Sequence, residues 1–264
     1  MYTFDYQRPA DQAGALAAAQ GDARYLAGGQ SLIQAMKLRL SSSERLIDLG
    51  GVAALKGIRV DGGNVVVGAM TPHAAVAASA EVRRALPALA ELAGGIGDPA
   101  VRNMGTLGGS IANADPAACY PSAVLGLGAT VHTDRRTIAG DDFFLGLYET
   151  ALQPGELVTA VSFPVPEKAA YVKFKQPASR FALVGVFVAK TAGGVRVAVT
   201  GAKGSVFRAT PIEQALNASF TPEAAKAVAM PADGINADLH ASAEYRAAMI
   251  SVMAGRAVAA ALAR

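Results

Sequence analysis

Cysteine occurs once in the 264 residues, at Cys119; tryptophan is absent and histidine appears three times. A single cysteine excludes an internal disulfide, and it excludes an iron–sulfur cluster or a thiolate-bound zinc held by this chain alone. His73, His132 and His240 are too far apart for metal-ligand spacing, so no metal site is expected. Charge is sparse as well. Only 17% of the residues are charged and the net charge is +3. The 24 Lys and Arg are scattered with no run of five, which argues against nucleic acid as a partner. Met1-Tyr2-Thr3-Phe4-Asp5-Tyr6 lacks the charged and apolar regions of a signal peptide. The alanine-rich runs are broken well short of the ~20 residues a membrane span needs. A cytoplasmic chain that does not span a membrane is expected.

What the chain has in quantity is apolar residues, 52% of the total, enough to bury a substantial core in one or two domains. Residues 11–20 read as a helix capped by Asp11, Tyr25–Ala27 as a strand, Ser31–Met36 as a helix and Arg45–Leu49 as a strand, a βαβ-like opening. Leu55–Val60 and Val65–Ala69 flank Asp61-Gly62-Gly63-Asn64 and predict a hairpin. Thr71 and Pro72 are expected to start a helix, as cap and first residue, and Pro87 to kink or split a helix over Glu81–Leu92. Val124–Thr133 and Leu157–Phe163 are expected strands. The prolines of Pro164-Val165-Pro166 mark a domain boundary. Beyond it, strands are expected at Ala170–Lys175, Leu183–Lys190 and Val195–Gly201, then helices at 211–217, 222–229 and 241–262. The pattern is α+β.

Two glycine-rich stretches carry the chemistry. The first is Ala27-Gly28-Gly29-Gln30-Ser31-Leu32. Its glycines would let backbone N–H groups approach an anion, with a helix N-terminus and the Ser31 hydroxyl beside it; a tight strand-to-helix turn accounts for the same residues. The second runs from an Asp98-Pro99 turn through Val101-Arg102-Asn103-Met104-Gly105-Thr106-Leu107-Gly108-Gly109-Ser110 to Asn113 and Asp115. So many small and polar residues, tied to a core by Leu107 and Ile111, call for a ligand that meets their backbone. Asn113 and Asp115 offer acceptors for sugar hydroxyls. Neither stretch has the spacing of a Rossmann fingerprint or a P-loop.

These two motifs resemble those of the FAD-binding medium subunits of the molybdenum hydroxylases, the family of xanthine dehydrogenase and aerobic carbon monoxide dehydrogenase. Ala27–Leu32 matches the first diphosphate loop, and Asp98 through Ala118 the second. Asp141-Asp142-Phe143-Phe144, Pro154-Gly155-Glu156 and Tyr171-Val172-Lys173-Phe174-Lys175 fall at later family positions.

The resemblance implies a PCMH-type FAD-binding domain of two α/β subdomains over 1–165, then a smaller C-terminal domain of antiparallel strands and helices over 166–264. It implies that Ala27, Gly28, Gly29, Gln30, Ser31 and Leu32, with Gly105, Thr106, Gly108, Gly109 and Ser110, hold the FAD diphosphate and adjoining sugar. Asn113 and Asp115 would be polar partners along the cofactor, Leu157 or Val158 would touch the flavin ring, and Lys175 would approach its polar edge. The implied partners are a large molybdenum-cofactor subunit and a small [2Fe-2S] subunit in a dimer of heterotrimers, with an external electron acceptor. No nicotinamide-binding signature is visible, which favours a quinone or a protein as that acceptor. Two positions depart from the family pattern: Cys119 replaces a frequent carboxylate, and Ser179-Arg180-Phe181 replaces Gly-Asp-Tyr or Gly-Asp-Trp. A free-standing flavin oxidoreductase would need an acid or base near the flavin, for which His73, Tyr148 and Glu149 are the candidates. A flavin-free scaffold would have no use for the glycines.

Overall fold

The computed structural model describes residues 1–264. Three strands, Asp5–Gln7, Arg45–Asp48 and Ala23–Leu26, form a parallel sheet with Arg45–Asp48 in the centre. The short helix Leu32–Lys37 connects its second and third strands in sequence, which is the expected βαβ opening. A five-stranded antiparallel sheet follows, in the order Ile58–Asp61, Asn64–Gly68, Val158–Pro164, Thr130–Thr133, Thr137–Ala139. The hairpin at its edge turns on Gly62 and Gly63, with φ of +53° and +80°, left-handed values that glycine adopts without a Cβ penalty. A third sheet joins Lys168–Lys175, Ala182–Thr191, Gly194–Thr200 and Phe207–Arg208, all antiparallel.

Several local expectations give way to stronger terms. Val124–Leu127 is not strand but the last turn of a helix, Tyr120–Leu127, buried along its whole length. An element apolar on all sides has no periodicity to separate helix from strand. Gly128 ends it at φ +62°, and the strand begins only at Thr130. Pro87 splits its helix into Ala80–Ala85 and Pro87–Gly94, and takes the first-turn position where its missing N–H costs nothing. Thr71 does not cap a helix. Its hydroxyl exchanges hydrogen bonds with Gly57, and the helix starts at His73 after Pro72. Asp98-Pro99 opens a helix, Pro99–Met104, with Asp98 Oδ1 accepting the Val101 N–H at 2.9 Å.

The strands Ala182–Thr191 and Gly194–Thr200 are buried on both faces. Phe187, Ala189 and Ala198 join the larger core with Leu89, Leu107, Val124 and Val161. Val184, Val186, Val188, Val197 and Val199 join a second core beneath the C-terminal helix Ala243–Leu262, as period-2 alternation requires. That helix is long and apolar enough to cross a membrane by composition. Its Ile250, Met253, Ala254, Ala257 and Val258 instead pack against the third sheet, and buried Arg246 donates to the carbonyls of Leu183 and Gly201.

Candidate functional site

The two glycine stretches, some eighty residues apart in sequence, touch each other. A Cβ on Gly28 would sit 2.0 Å from the carbonyl oxygen of Met104 and 2.7 Å from Cα of Gly105; one on Gly109 would lie 3.2 Å from Cβ of Ala27. The remaining glycines of the second stretch make room for specific neighbours. Gly105 admits the His73 ring, and Gly108 admits Ala69, whose carbonyl accepts the Gly108 N–H at 2.8 Å. Much of the glycine content therefore serves the packing of loop on loop, where the sequence suggested only the approach of an anion.

The second stretch is helical over Leu107–Asn113, with Thr106 Oγ1 accepting the Gly109 N–H. Ala114, at φ +47°, ends this helix in the left-handed region. Asp115 follows, its carboxylate accepting from the Ala117 N–H at 2.8 Å and from the Tyr148 hydroxyl at 3.3 Å.

Against this docked pair lies a cavity of about 790 Å³, inside the ~300–1,000 Å³ range of ligand pockets. Ala27 through Leu32, Gly105, Thr106, Gly108, Gly109, Ser110, Asn113, Asp115, Leu157 and Val158 all line it. The decisive feature is what the first loop leaves unpaired. The backbone N–H groups of Gly28, Gly29, Gln30, Ser31 and Leu32 donate to no backbone acceptor, and no side-chain oxygen takes them up. Gly29 reverses the chain there at φ +69°. Buried amides without partners are rare in a folded protein, and all of these residues but Ser31 are half-buried. Consecutive ones in a cavity wall fit the oxygens of an anionic group such as a diphosphate.

Lys175 lies elsewhere. The ladder between Lys168–Lys175 and Ala182–Thr191 shifts register between Phe174 and Lys175, and Lys175 is exposed at the strand end, away from the cavity wall. The lysine in the wall is Lys173, whose Nζ lies 3.3 Å from Cys119 Sγ. The strand's period of two places both lysines on one face, so sequence alone could not choose between them. Cys119, Ser179, Arg180 and Phe181, the departures from the family pattern, all line the cavity.

Two further wall residues have perturbed ionisation. Glu156 is held down to about 2 by the Arg136 guanidinium, at 2.9 Å, aided by the Gln153 N–H and Thr133 hydroxyl. This fixes the turn that delivers Leu157 and Val158. Burial, with the nearby Arg102 charge, lowers His73 to about 4, so it is a neutral imidazole at neutral pH. Tyr148 and Glu149 do not line the cavity.

The description "FAD binding domain in molybdopterin dehydrogenase" matches residues 2–166. The chain belongs to this family. The carbon monoxide dehydrogenase medium chain of Afipia carboxidovorans is 39% identical, over 99% of this chain and 98% of that one. The nicotine 6-hydroxylase medium subunit of Paenarthrobacter nicotinovorans is 36% identical, over 90% and 89%. Among solved structures, a chain of carbon monoxide dehydrogenase from Hydrogenophaga pseudoflava superposes with a TM-score of 0.89 at 36% identity, covering 99% and 98%. The chain is thus an FAD subunit of the molybdenum hydroxylase type, part of a multi-subunit oxidoreductase, and the unpaired amides of its first loop suit the cofactor of that family.

Proposed function

We propose that this chain holds FAD in the cavity between its two glycine loops as the electron-transfer subunit of a heteromeric molybdenum hydroxylase of carbon monoxide dehydrogenase type. The observation that carries the reading is the run of unpaired amides from Gly28 to Leu32, docked against the Thr106–Ser110 turn. These donors, with the Ser31 and Thr106 hydroxyls, would bind the diphosphate, while Asn113 and Asp115 would take sugar hydroxyls. Leu157 and Val158 would present an apolar wall to the ring. FAD bound there supplies electron exchange between a small [2Fe-2S] subunit and an external acceptor, while substrate is oxidised at a molybdenum cofactor on a large subunit.

The protein's own part is to bind, orient and shield. Burial leaves His73 a weak base and Glu156 is committed to Arg136, as suits a subunit that passes electrons and leaves bond-making to a partner. Substrate choice belongs to the large subunit, since relatives built on the same medium subunit are named for carbon monoxide and for nicotine. We place the complex in the cytoplasm as a dimer of heterotrimers, with the FAD-binding domain at 1–165 and a C-terminal domain at 166–264. Native mass spectrometry of the chain purified from its own host tests this. FAD together with two further subunits of molybdenum and iron–sulfur type is the expected result. A lone chain carrying FAD would replace the reading with a free-standing flavoenzyme, and a chain without FAD would refute it.

A further inference from the structure

Besides His73, the charged side chains of the cavity wall are Arg24, Asp115, Glu156, Lys173 and Arg180. Glu156 is neutralised by Arg136. Asp115 accepts from the Ala117 amide and the Tyr148 hydroxyl. Arg24 and Arg180 are exposed, and Arg24 donates to Ser41. Lys173 differs from all of these. It is half-buried and makes no ion pair with any carboxylate, and its near partner is the sulfur of Cys119, itself 5% exposed.

The side chains of Tyr171 and Thr200 lie close by, and neither brings a carboxylate to the lysine. The phenol of Tyr171 is kept protonated by burial. The hydroxyls of Tyr171 and Thr200 occupy the space that a side chain on Gly185 would fill, and both are buried without a hydrogen-bond partner. A sulfur can accept a weak hydrogen bond from an ammonium and fix its direction. Cysteine supplies that acceptor without placing a carboxylate beside the lysine.

We propose that Cys119 is a positioning residue that holds the Lys173 ammonium in the cavity wall as a positive charge with no carboxylate partner, and that this pair raises the reduction potential of the FAD bound there. The inference rests on the cavity being the FAD site. Its physical basis is that a fixed cation, poorly screened in a half-buried wall, favours the more negative, reduced form of a neighbouring cofactor. An aspartate at position 119 would pair with the lysine and cancel that field.

The test is the midpoint potential of FAD in the purified complex, with FAD content per chain measured alongside. Cys119→Asp and Lys173→Gln should each lower the potential while FAD is retained. Cys119→Ser, which keeps a side-chain acceptor without a carboxylate, and Lys173→Arg, which keeps the charge, should hold it near the wild-type value. A merely structural role for the pair would change FAD content or thermal stability and leave the potential where it was. Wild-type potentials in FAD-replete Cys119→Asp and Lys173→Gln overturn the inference. If Cys119→Asp sheds FAD, the contrast between Lys173→Gln and Lys173→Arg decides: a fall in the first alone supports the pair, and equal potentials in both overturn it. A wild-type complex without FAD is a different failure, because it removes the cofactor assignment itself.

Discussion

Replacing Gly28 by alanine adds one methyl group where the structure has no room for it. That Cβ would stand 2.0 Å from the Met104 carbonyl oxygen, 2.6 Å from its carbon and 2.7 Å from Cα of Gly105. All three are backbone atoms, so no rotamer change relieves the clash, and the first loop must move off the second by more than an ångström to restore ordinary contact. Overpacking of this kind costs about 1–3 kcal/mol in stability. The effect on the cofactor is larger. Hydrogen bonds to charged groups contribute about 1.5–3 kcal/mol each, so misplacing two of the Gly28–Leu32 amides weakens FAD binding by about 3–6 kcal/mol. At 1.4 kcal/mol per tenfold, that is roughly a hundred-fold to ten-thousand-fold in Kd. The assay is FAD titration of the deflavinated complex, with thermal unfolding in parallel. Gly193→Ala serves as the control, since its Cβ would meet nothing closer than 3.8 Å. An unchanged FAD Kd in Gly28→Ala would refute the claim that loop-on-loop docking creates the diphosphate cradle.

Lys175→Met should change neither FAD content nor reduction potential, because the residue is exposed beyond the cavity; a shifted potential would return it to the site. Glu156→Gln removes a carboxylate whose folded pKa lies near 2, below its ordinary value of 4.5. The stabilisation is complete above the ordinary value and is lost as pH falls towards 2. The variant should therefore be less stable near neutrality, by about 1–2 kcal/mol given that Arg136 is partly exposed, and the gap in Tm should close on acidification. His73 behaves oppositely to a histidine that gains a partner. Its folded pKa of about 4 lies below 6.5, so the unfolded chain binds the extra proton between those values and stability falls as pH drops through that window. His73→Gln should flatten this limb of the Tm profile, and an equally steep limb in the variant would contradict the assigned burial effect.

What could be read from the sequence, and what could not, divides along physical lines. The hairpin at Asp61–Asn64, the parallel opening and the three strands after Pro166 were legible because turn residues and period-2 alternation act locally. The cavity lining from Ala27 to Val158 was legible through motif resemblance. Tyr120–Leu127 misled because a fully buried helix carries no polar face to betray its period. Choosing Lys173 over Lys175 required the register shift after Phe174, which depends on how two strands pair and leaves no mark in either alone. The contact of Gly28 with Met104 was equally hidden, since nothing in a pair of glycines names the distant backbone for which they make room.

The strand Ala182–Thr191 gives one face to each of two cores, and this separates the boundary of the FAD-binding-domain match from the boundary of folding. The FAD-binding-domain match stops at residue 166, yet the apolar surface built by Leu89, Val124 and Val161 is closed by Phe187, Ala189 and Ala198 from beyond that point. A chain cut after residue 166 would display an open oily flank, and a graft of the C-terminal region from a relative would have to match that flank side chain for side chain. The C-terminal portion is thus no detachable appendage: it is the lid on the other half's interior, and the two have to change together.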